Sequence, residues 1–592
     1  QLLDPGESVF VETSFDLYHI ASYDDVGVIE KDSIVLEKGD YTLHIGYHIG
    51  DQQYSHPFHY EKDMYFGHYH PLPLKQPFKR LVYKDNVINY ELTPIEHVKT
   101  FTCEQGQHIE NNMLFNEVNT FKDLKTFVQS LTDEDLMHLI KGEGMSSPKV
   151  TPGIAGAVGG ITESLKNKQI PIIGLADGPS GIRMDSGFFA SSIPNSTLLA
   201  STFNLEKVEQ LYTLVGYEMD HYNIDILLAP GMNLQRNMLC GRNFEYFSED
   251  PLITGYLASS VVKGLHQANK FGSLKHYAAN NQETKRFENE VWVSNRAFRE
   301  LYHKGFEYAI MTANAKVFMS SYNYINGYHS ASHPTLYHTL KQEGFQGIII
   351  SDWWAHLNDV DQPLNKKALS KMVLANHDIY MVVGDTTTFD SDLEVALEKG
   401  LITRGHLEQL ATNILRFLYT YKSNQKQPDI DSIIKSDYQK GVIEGPLDKN
   451  IRKKAQYSTF NNAVLMEDYP IHFIPTQHST IAIDTPTMEV FNIDPNPYVK
   501  TRLLDDEAEK DNYHFRLQIT HPGKYIFILA LSQSSFNMYF NQVYEQTFTY
   551  QHFEGTLNAS AFKILDIGEV VFSIKMNQRG LKIKQLHIQR HP

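Results

Sequence analysis

The sequence predicts an α/β fold, a (β/α)8 TIM-like barrel with β structure on either side, and three observations carry that expectation. Short apolar runs, Ile172 to Leu175, Ile224 to Ala229, Val317 to Met319, Ile348 to Ile350 and Ile379 to Val383, are separated by helical patterns. Continuous apolar strands of this kind belong to a parallel sheet covered on both faces. The alternation runs from about 113 to 425, which suits a closed barrel better than the runner-up, a doubly wound open sheet. Beyond both ends the pattern changes to the period of two that marks half-buried strands.

Residues 1–57 read as β structure. Ser33 to Leu36 and Tyr41 to Ile45 are strand-like, and Glu37-Lys38-Gly39-Asp40 between them reads as a hairpin turn. This is too little for an independent sandwich, so it reads as the last strands of a domain that begins upstream. The first residue is Gln1 rather than Met, and the natural start is expected to be missing. Residues 58–117, rich in Tyr, His, Pro and Lys, read as a connector.

The barrel itself is assigned to 118–425. Thr132 followed by Asp133-Glu134-Asp135 opens a helix, with Thr132 as N-cap. Residues 426–454 are polar and read as a linker. In 455–592, Tyr513, Phe515, Leu517 and Ile519 alternate with polar residues, as do Phe572, Ile574 and Met576. His521-Pro522-Gly523-Lys524 and Asn577-Gln578-Arg579-Gly580 supply turns, so this part reads as an antiparallel β-sandwich.

Bulk properties narrow the function. At 592 residues the chain holds more than one domain, and 42% hydrophobic residues suffice for sizeable cores. A formal net charge of −17 argues against a nucleic acid or an anionic membrane surface as partner. No apolar run approaches the ~20 residues that span a bilayer. Cys103 and Cys240 lie far apart and form no metal-type pair; low cysteine use points to a reducing compartment, the cytoplasm.

In a barrel, chemistry sits at the C-terminal tips of the strands. The run Ile348-Ile349-Ile350 delivers Ser351, Asp352 and Trp353 to such a tip, a carboxylate beside an aromatic ring. A sugar stacked on Trp353 would bring its anomeric carbon near Asp352, the candidate nucleophile. Its structural alternative is a helix cap. Asp177-Gly178-Pro179-Ser180-Gly181-Ile182-Arg183 is a tight loop from which Asp177 and Arg183 could both enter the mouth, or pair with each other. The loop Gly241 to Pro251 concentrates a guanidinium (Arg242), an amide, aromatics and acids. Lys275 and His276 end a strand, and adjacent residues reach one ligand only if the strand twists or stops there. Met319 and Tyr322 follow another strand. The Gly run 153, 156, 159 and 160 lacks a preceding strand and a following Lys-Ser or Lys-Thr, which excludes a phosphate loop. His68 and His70 have metal-like spacing without a partner pair. No metal or cofactor is called for.

These motifs, in this order, resemble glycoside hydrolase family 3, the group of many β-glucosidases and β-xylosidases. The segments that carry the likeness are Gly241 to Pro251, Lys275-His276 through Asn281-Gln282-Glu283, and Ser351-Asp352-Trp353 followed by Asn376-His377-Asp378-Ile379-Tyr380-Met381. The resemblance implies that Asp352 is the nucleophile. It implies that Asp177, Arg183, Arg242, Lys275 and His276 hold the glycosyl unit, and that Met319, Tyr322 and Trp353 shape the pocket. Domain order is similar to the permuted branch, in which an α/β sandwich domain and a fibronectin-like domain precede the barrel. Ala21 to Asp25 and Val35 to Tyr41 resemble the end of the fibronectin-like domain. In two-domain members the acid/base is a Glu on the sandwich domain, so it has no counterpart here. The branch with a barrel-borne acid/base carries Pro-Gly-His after Lys-His, whereas this chain has Tyr277-Ala278-Ala279-Asn280. Ser294-Asn295-Arg296 departs from the Glu that usually precedes the Arg. The implied activity is retaining, exo-acting hydrolysis of a β-linked glucoside, with a xyloside, another β-glycoside, or sugar binding without turnover as alternatives.

Overall fold

The structure is a computed structural model. It describes residues 8–422 except 11, 13, 49, 85–86, 94, 96–100, 145–146 and 186–189, together with the backbone of nine strands between 479 and 590. The linker expected at 426–454 lies outside the described residues.

Eight strands form the central sheet: β1 Lys141–Glu143, β2 Gly156–Gly159, β3 Ile172–Asp177, β4 Ile226–Leu228, β5 Phe271–Tyr277, β6 Val317–Ser320, β7 Ile348–Ile350 and β8 Tyr380–Val383. Their hydrogen-bonded order is β7-β6-β5-β4-β3-β2-β1-β8. A parallel bridge between Ile350 and Ile379 joins the two ends and closes the barrel. The expected (β/α)8 pattern holds with one difference: β2 runs antiparallel to both β1 and β3. Gly156 and Gly159, two of the four glycines in the run dismissed as a phosphate loop, are the ends of this strand. A glycine strand can return antiparallel because no crossover helix separates it from β1.

The helices around the barrel are α1 Phe121–Ser130, α2 Asp133–Leu139, α3 Glu163–Asn167, α4 Ser196–Ala200, α5 Leu205–His221, α6 Pro251–Gln267, α7 Lys304–Ala313, α8 Leu336–Gln342, α9 Leu369–Leu374, α10 Leu393–Glu398 and α11 Arg404–Lys422. Their starts follow from capping chemistry. Thr132 accepts from the Asp135 backbone N–H at 3.0 Å and Asp135 returns the bond, as the sequence predicts. Asp250 accepts from the N–H groups of Leu252 and Ile253, with Pro251 at the first helical position.

Alternation along the strands divides the core. Ile226, Leu228, Val317, Met319, Ile348 and Ile350 belong to one buried cluster, shared with Trp353 and residues of α1, α2, α9, α10 and α11. Leu227, Phe318 and Ile349 belong to a second, shared with α5 to α8. Strand register places Lys275, Met319 and Ile350 level with one another.

Before the barrel, Ser33–Leu36 pairs antiparallel with Ser22–Asp24 and Met64–His68. Gly39–His48 pairs instead with Asp51–Tyr60, which corrects the hairpin expected between Ser33–Leu36 and Tyr41–Ile45. Within the connector, Lys79–Lys84 and Val87–Leu92 form a hairpin. Asp24 accepts from five consecutive backbone N–H groups, Val26 to Glu30, and so folds the loop that brings Ser33 back to it. Asn295, at the position where a Glu was expected, accepts from the Leu72 backbone N–H at 2.7 Å and ties the connector to the barrel.

Toward the C-terminus the strands are antiparallel throughout. One sheet has the order Ser479–Ala482, Ile583–Arg590, Gly523–Leu531, Leu557–Leu565; the other has Val499–Leu503, Asn512–Ile519, Gly568–Met576, Phe536–Phe540, Val543–Phe548. Among the described residues no helix is long and apolar enough to cross a membrane, and none of their His, Cys, Asp and Glu side chains gather into a metal-holding group.

Candidate active site

Asp177 ends β3 and Lys275 lies near the end of β5. Lys275 Nζ donates to Asp177 Oδ1 at 2.8 Å, across the intervening strand β4. Burial works against the Asp177 charge, but the ammonium beside it, with Arg183 and Arg242 farther off, holds the carboxyl below the usual range. Register shifts between Lys275 and Tyr277. Such an irregularity re-aims side chains beside active sites, and it meets the condition under which both Lys275 and His276 can face the mouth. Arg183 departs from the expectation. Its side chain is 61% exposed and its Nε donates to Asp185 at 3.0 Å, so it stands at the rim rather than inside. A guanidinium keeps its hydration where a neighbouring surface carboxylate satisfies its fork.

Arg242 does enter. Its Nε donates to the Glu245 carboxylate. Burial opposes its charge, yet Tyr246 and Glu245 raise the guanidinium above its ordinary pKa, and Asp352 adds to the effect.

Asp352 follows β7 and is 7% exposed. One oxygen, Oδ1, accepts from the Trp353 backbone N–H at 2.7 Å. The other, Oδ2, has no hydrogen-bond partner among the described residues and faces His276 Nε2 at 3.5 Å. Burial raises the Asp352 carboxyl, while Arg242 and Lys275 pull it back. Burial, with Arg242, Lys275 and Arg286, lowers His276 well below the ordinary imidazole range and keeps the ring neutral.

The Tyr322 hydroxyl sits beside the Asp352 carboxyl and donates to the Trp353 carbonyl at 2.8 Å. The Trp353 indole is 9% exposed; its Nε1 donates to the Ala155 carbonyl at 3.2 Å. Met319 lies in the core layer level with Lys275. The structure thus gathers Asp352, His276, Arg242, Lys275, Asp177 and Tyr322 at one end of the barrel, with Met319 and Trp353 beneath.

Three contributors were missed in the sequence. Asn233, on the loop after β4, accepts from the His276 backbone N–H and donates to the His276 carbonyl, each at 2.8 Å. Arg286 lies over the Tyr322 ring at 4.6 Å and beside Glu283 at 3.3 Å. Phe287 packs on Tyr322 at 4.4 Å between ring centres and on His356 at 5.4 Å. Position after a strand was the one available signal for Asn233. Nothing in the spacing of Arg286 and Phe287 points inward.

Comparison with known proteins agrees with this architecture. A β-glucosidase of Ruminococcus albus is 38% identical over 430 residues, covering 71% of this chain and 45% of its own. β-Glucosidase A of Butyrivibrio fibrisolvens is 31% identical, covering 69% of this chain and 51% of its own. The crystal structure of a β-glucosidase from Paenibacillus barengoltzii superposes with a TM-score of 0.65 at 30% identity, covering 97% of this chain and 61% of that one. The chain therefore spans about half the length of the curated relatives it matches. Residues 116–417, the barrel with its eight strands and the Asp352 cluster, match the model of the glycosyl hydrolase family 3 N terminal domain, and the chain belongs to that family.

Proposed function

We propose that this chain carries the sugar-binding and nucleophilic part of a retaining, exo-acting β-glucosidase. The observation that carries the reading is the free Oδ2 of a buried Asp352 at a strand tip, among Arg242, Lys275 and His276. An oxygen with no hydrogen-bond partner among the described residues is available to an electrophilic carbon. The cations limit how far burial protonates it. Asp177, ionised against Lys275, presents a carboxylate that accepts from sugar hydroxyls, and Arg242 presents donors.

In this reading Asp352 Oδ2 attacks the anomeric carbon as the glycosidic C–O bond breaks, through an oxocarbenium-like state, giving a glycosyl ester and the leaving alcohol. Water then attacks the same carbon, frees the carboxylate and releases the sugar with retained configuration. The leaving oxygen needs a proton. The carboxylates touching the cluster are each tied to a cation, Asp177 to Lys275, Glu245 to Arg242 and Glu283 to Arg286. The resemblance to the two-domain members of the family places the acid/base on a Glu outside the barrel, and the pairing of these three carboxylates is consistent with that. Glucose is the first sugar to test because the relatives above are named β-glucosidases.

The test is labelling with 2,4-dinitrophenyl 2-deoxy-2-fluoro-β-glucoside, whose leaving group needs little protonation. An adduct mapped to Asp352 is the expected result. A folded protein left unmodified at saturating reagent would overturn the glucosidase reading, and an adduct elsewhere would overturn the assignment.

A further inference from the structure

Asn233 touches His276 three times. Its side-chain NH2 donates to the His276 carbonyl, and its Oδ1 accepts from the His276 backbone N–H, each at 2.8 Å. A carbonyl cannot donate and a backbone N–H cannot accept. These two partners therefore fix which end of the Asn233 amide is oxygen. The same Oδ1 lies 3.3 Å from His276 Nδ1. An acceptor on that side places the ring proton on Nδ1. Nε2 then carries the lone pair, and it points at the free Oδ2 of Asp352, 3.5 Å away.

Resting on the reading of Asp352 as nucleophile, we infer that Asn233 is a positioning residue: it holds His276 as the Nδ1–H tautomer, so that Nε2 cannot donate to Asp352 and quench it. Two acceptors face each other, and a single added proton would bridge them. That proton ties up the carboxylate, and losing it frees the nucleophile. The groups facing this pair are Lys275 on the same strand, Arg242 from the loop after β4, Arg286 from the loop after β5, and Tyr322 beyond β6. The three cations all disfavour the bridging proton. Asn233 adds to them without charge, through the tautomer alone.

Asn233→Asp keeps the shape and replaces NH2 with a second oxygen. A carboxylate against Nδ1–H stabilises the imidazolium, whose Nε2–H then donates to Asp352. The experiment measures the rate of Asp352 labelling by the fluoroglucoside against pH, in the wild type and in Asn233→Asp. The acidic limb is expected to move upward by about one pH unit or more in the variant. A folded variant with an unmoved limb and the wild-type rate overturns the inference. Should Asn233→Asp not fold, ring-15N spectra of the wild-type protein decide instead, using the histidine signal lost in His276→Gln. An Nδ1–H tautomer supports the role and an Nε2–H tautomer overturns it. Failure of the wild type to label at Asp352 would count against the nucleophile, and the tautomer spectrum would still decide the role of Asn233.

Discussion

Lys275 reaches from the tip of β5 across β4 to Asp177 at the tip of β3, and their charged atoms meet at 2.8 Å. Lys275 is almost wholly buried there, while a third of the Asp177 side chain stays open to the mouth. The pair therefore leaves its acid partly open and hides its base. Asp177→Asn is expected to lower kcat/KM roughly 10- to 100-fold, the loss of one or more charge-assisted hydrogen bonds. Lys275→Met should cost a similar factor. The double variant should cost clearly less than the product of the two, because either change alone strands a charge. Full multiplicativity in steady-state kinetics would show that the two act separately.

Asp352→Asn separates stability from function. Burial raises the Asp352 carboxyl, so its charge is a cost to the folded state that an amide of the same shape removes. The variant should unfold at the same denaturant concentration as the wild type or higher, while kcat/KM falls by at least about 1000-fold. A large drop in both would show that the carboxylate holds the strand tip together.

Much of this was legible in the sequence, and what was not follows a physical rule. The apolar runs of β3, β4, β6, β7 and β8 mark strands buried on both faces. Lys141–Glu143 and Gly156–Gly159 carry no such run, since the first is Lys-Gly-Glu and the second has Val158 as its one large apolar side chain, so two of the eight strands went unseen. Asp177, Lys275, His276 and Asp352 lie at, near or just past strand ends, yet a motif does not say which neighbour each one meets. Arg183 found Asp185 at the surface and Asp177 found Lys275. The Asn233 contact with His276 joins residues far apart in the chain through backbone atoms, and backbone partners leave no trace in residue type.

Acid sensitivity follows from the buried histidines. Burial lowers His303, His329, His333 and His377 to about 3. His266 and His338 are lowered to about 4, mainly by burial. Unfolded histidines titrate near 6.5. Below that pH the unfolded chain binds protons that the folded one refuses, so stability is lost as pH falls through the window from about 6.5 towards 4, by about 1.4 kcal/mol per histidine per pH unit at the steepest. Asp378, raised to about 6 by burial, works the other way, because the folded state keeps its proton between about 6 and 4. Burial also raises Asp225, Glu343 and Asp352, but each carboxyl offsets one imidazole at most, and the six histidines outnumber these carboxyls. Urea midpoints measured from pH 7.5 to 4.5 should fall continuously, and a midpoint flat across that range would contradict the burial of these rings.

Gly156 tests the unseen strand. A Cβ at this position would lie 2.6 Å from the Glu143 carbonyl oxygen, 3.0 Å from Met381 Cε and 3.5 Å from the Trp353 ring. The methionine can give way, but the carbonyl belongs to β1 and moves only with its strand. Gly156→Ala must therefore push β2 away from β1, and the Trp353 indole, held by the Ala155 carbonyl next in the chain, shifts with it. The expected cost is about 1–3 kcal/mol of barrel stability, with a fall in kcat/KM because Trp353 neighbours Asp352. All three tryptophans, Trp292, Trp353 and Trp354, lie in the barrel, so their fluorescence follows its unfolding without a signal from the C-terminal strands. Gly384→Ala is the matched control, since a Cβ there meets nothing within 4 Å. Equal urea midpoints for the two variants would mean that β2 does not run between β1 and β3.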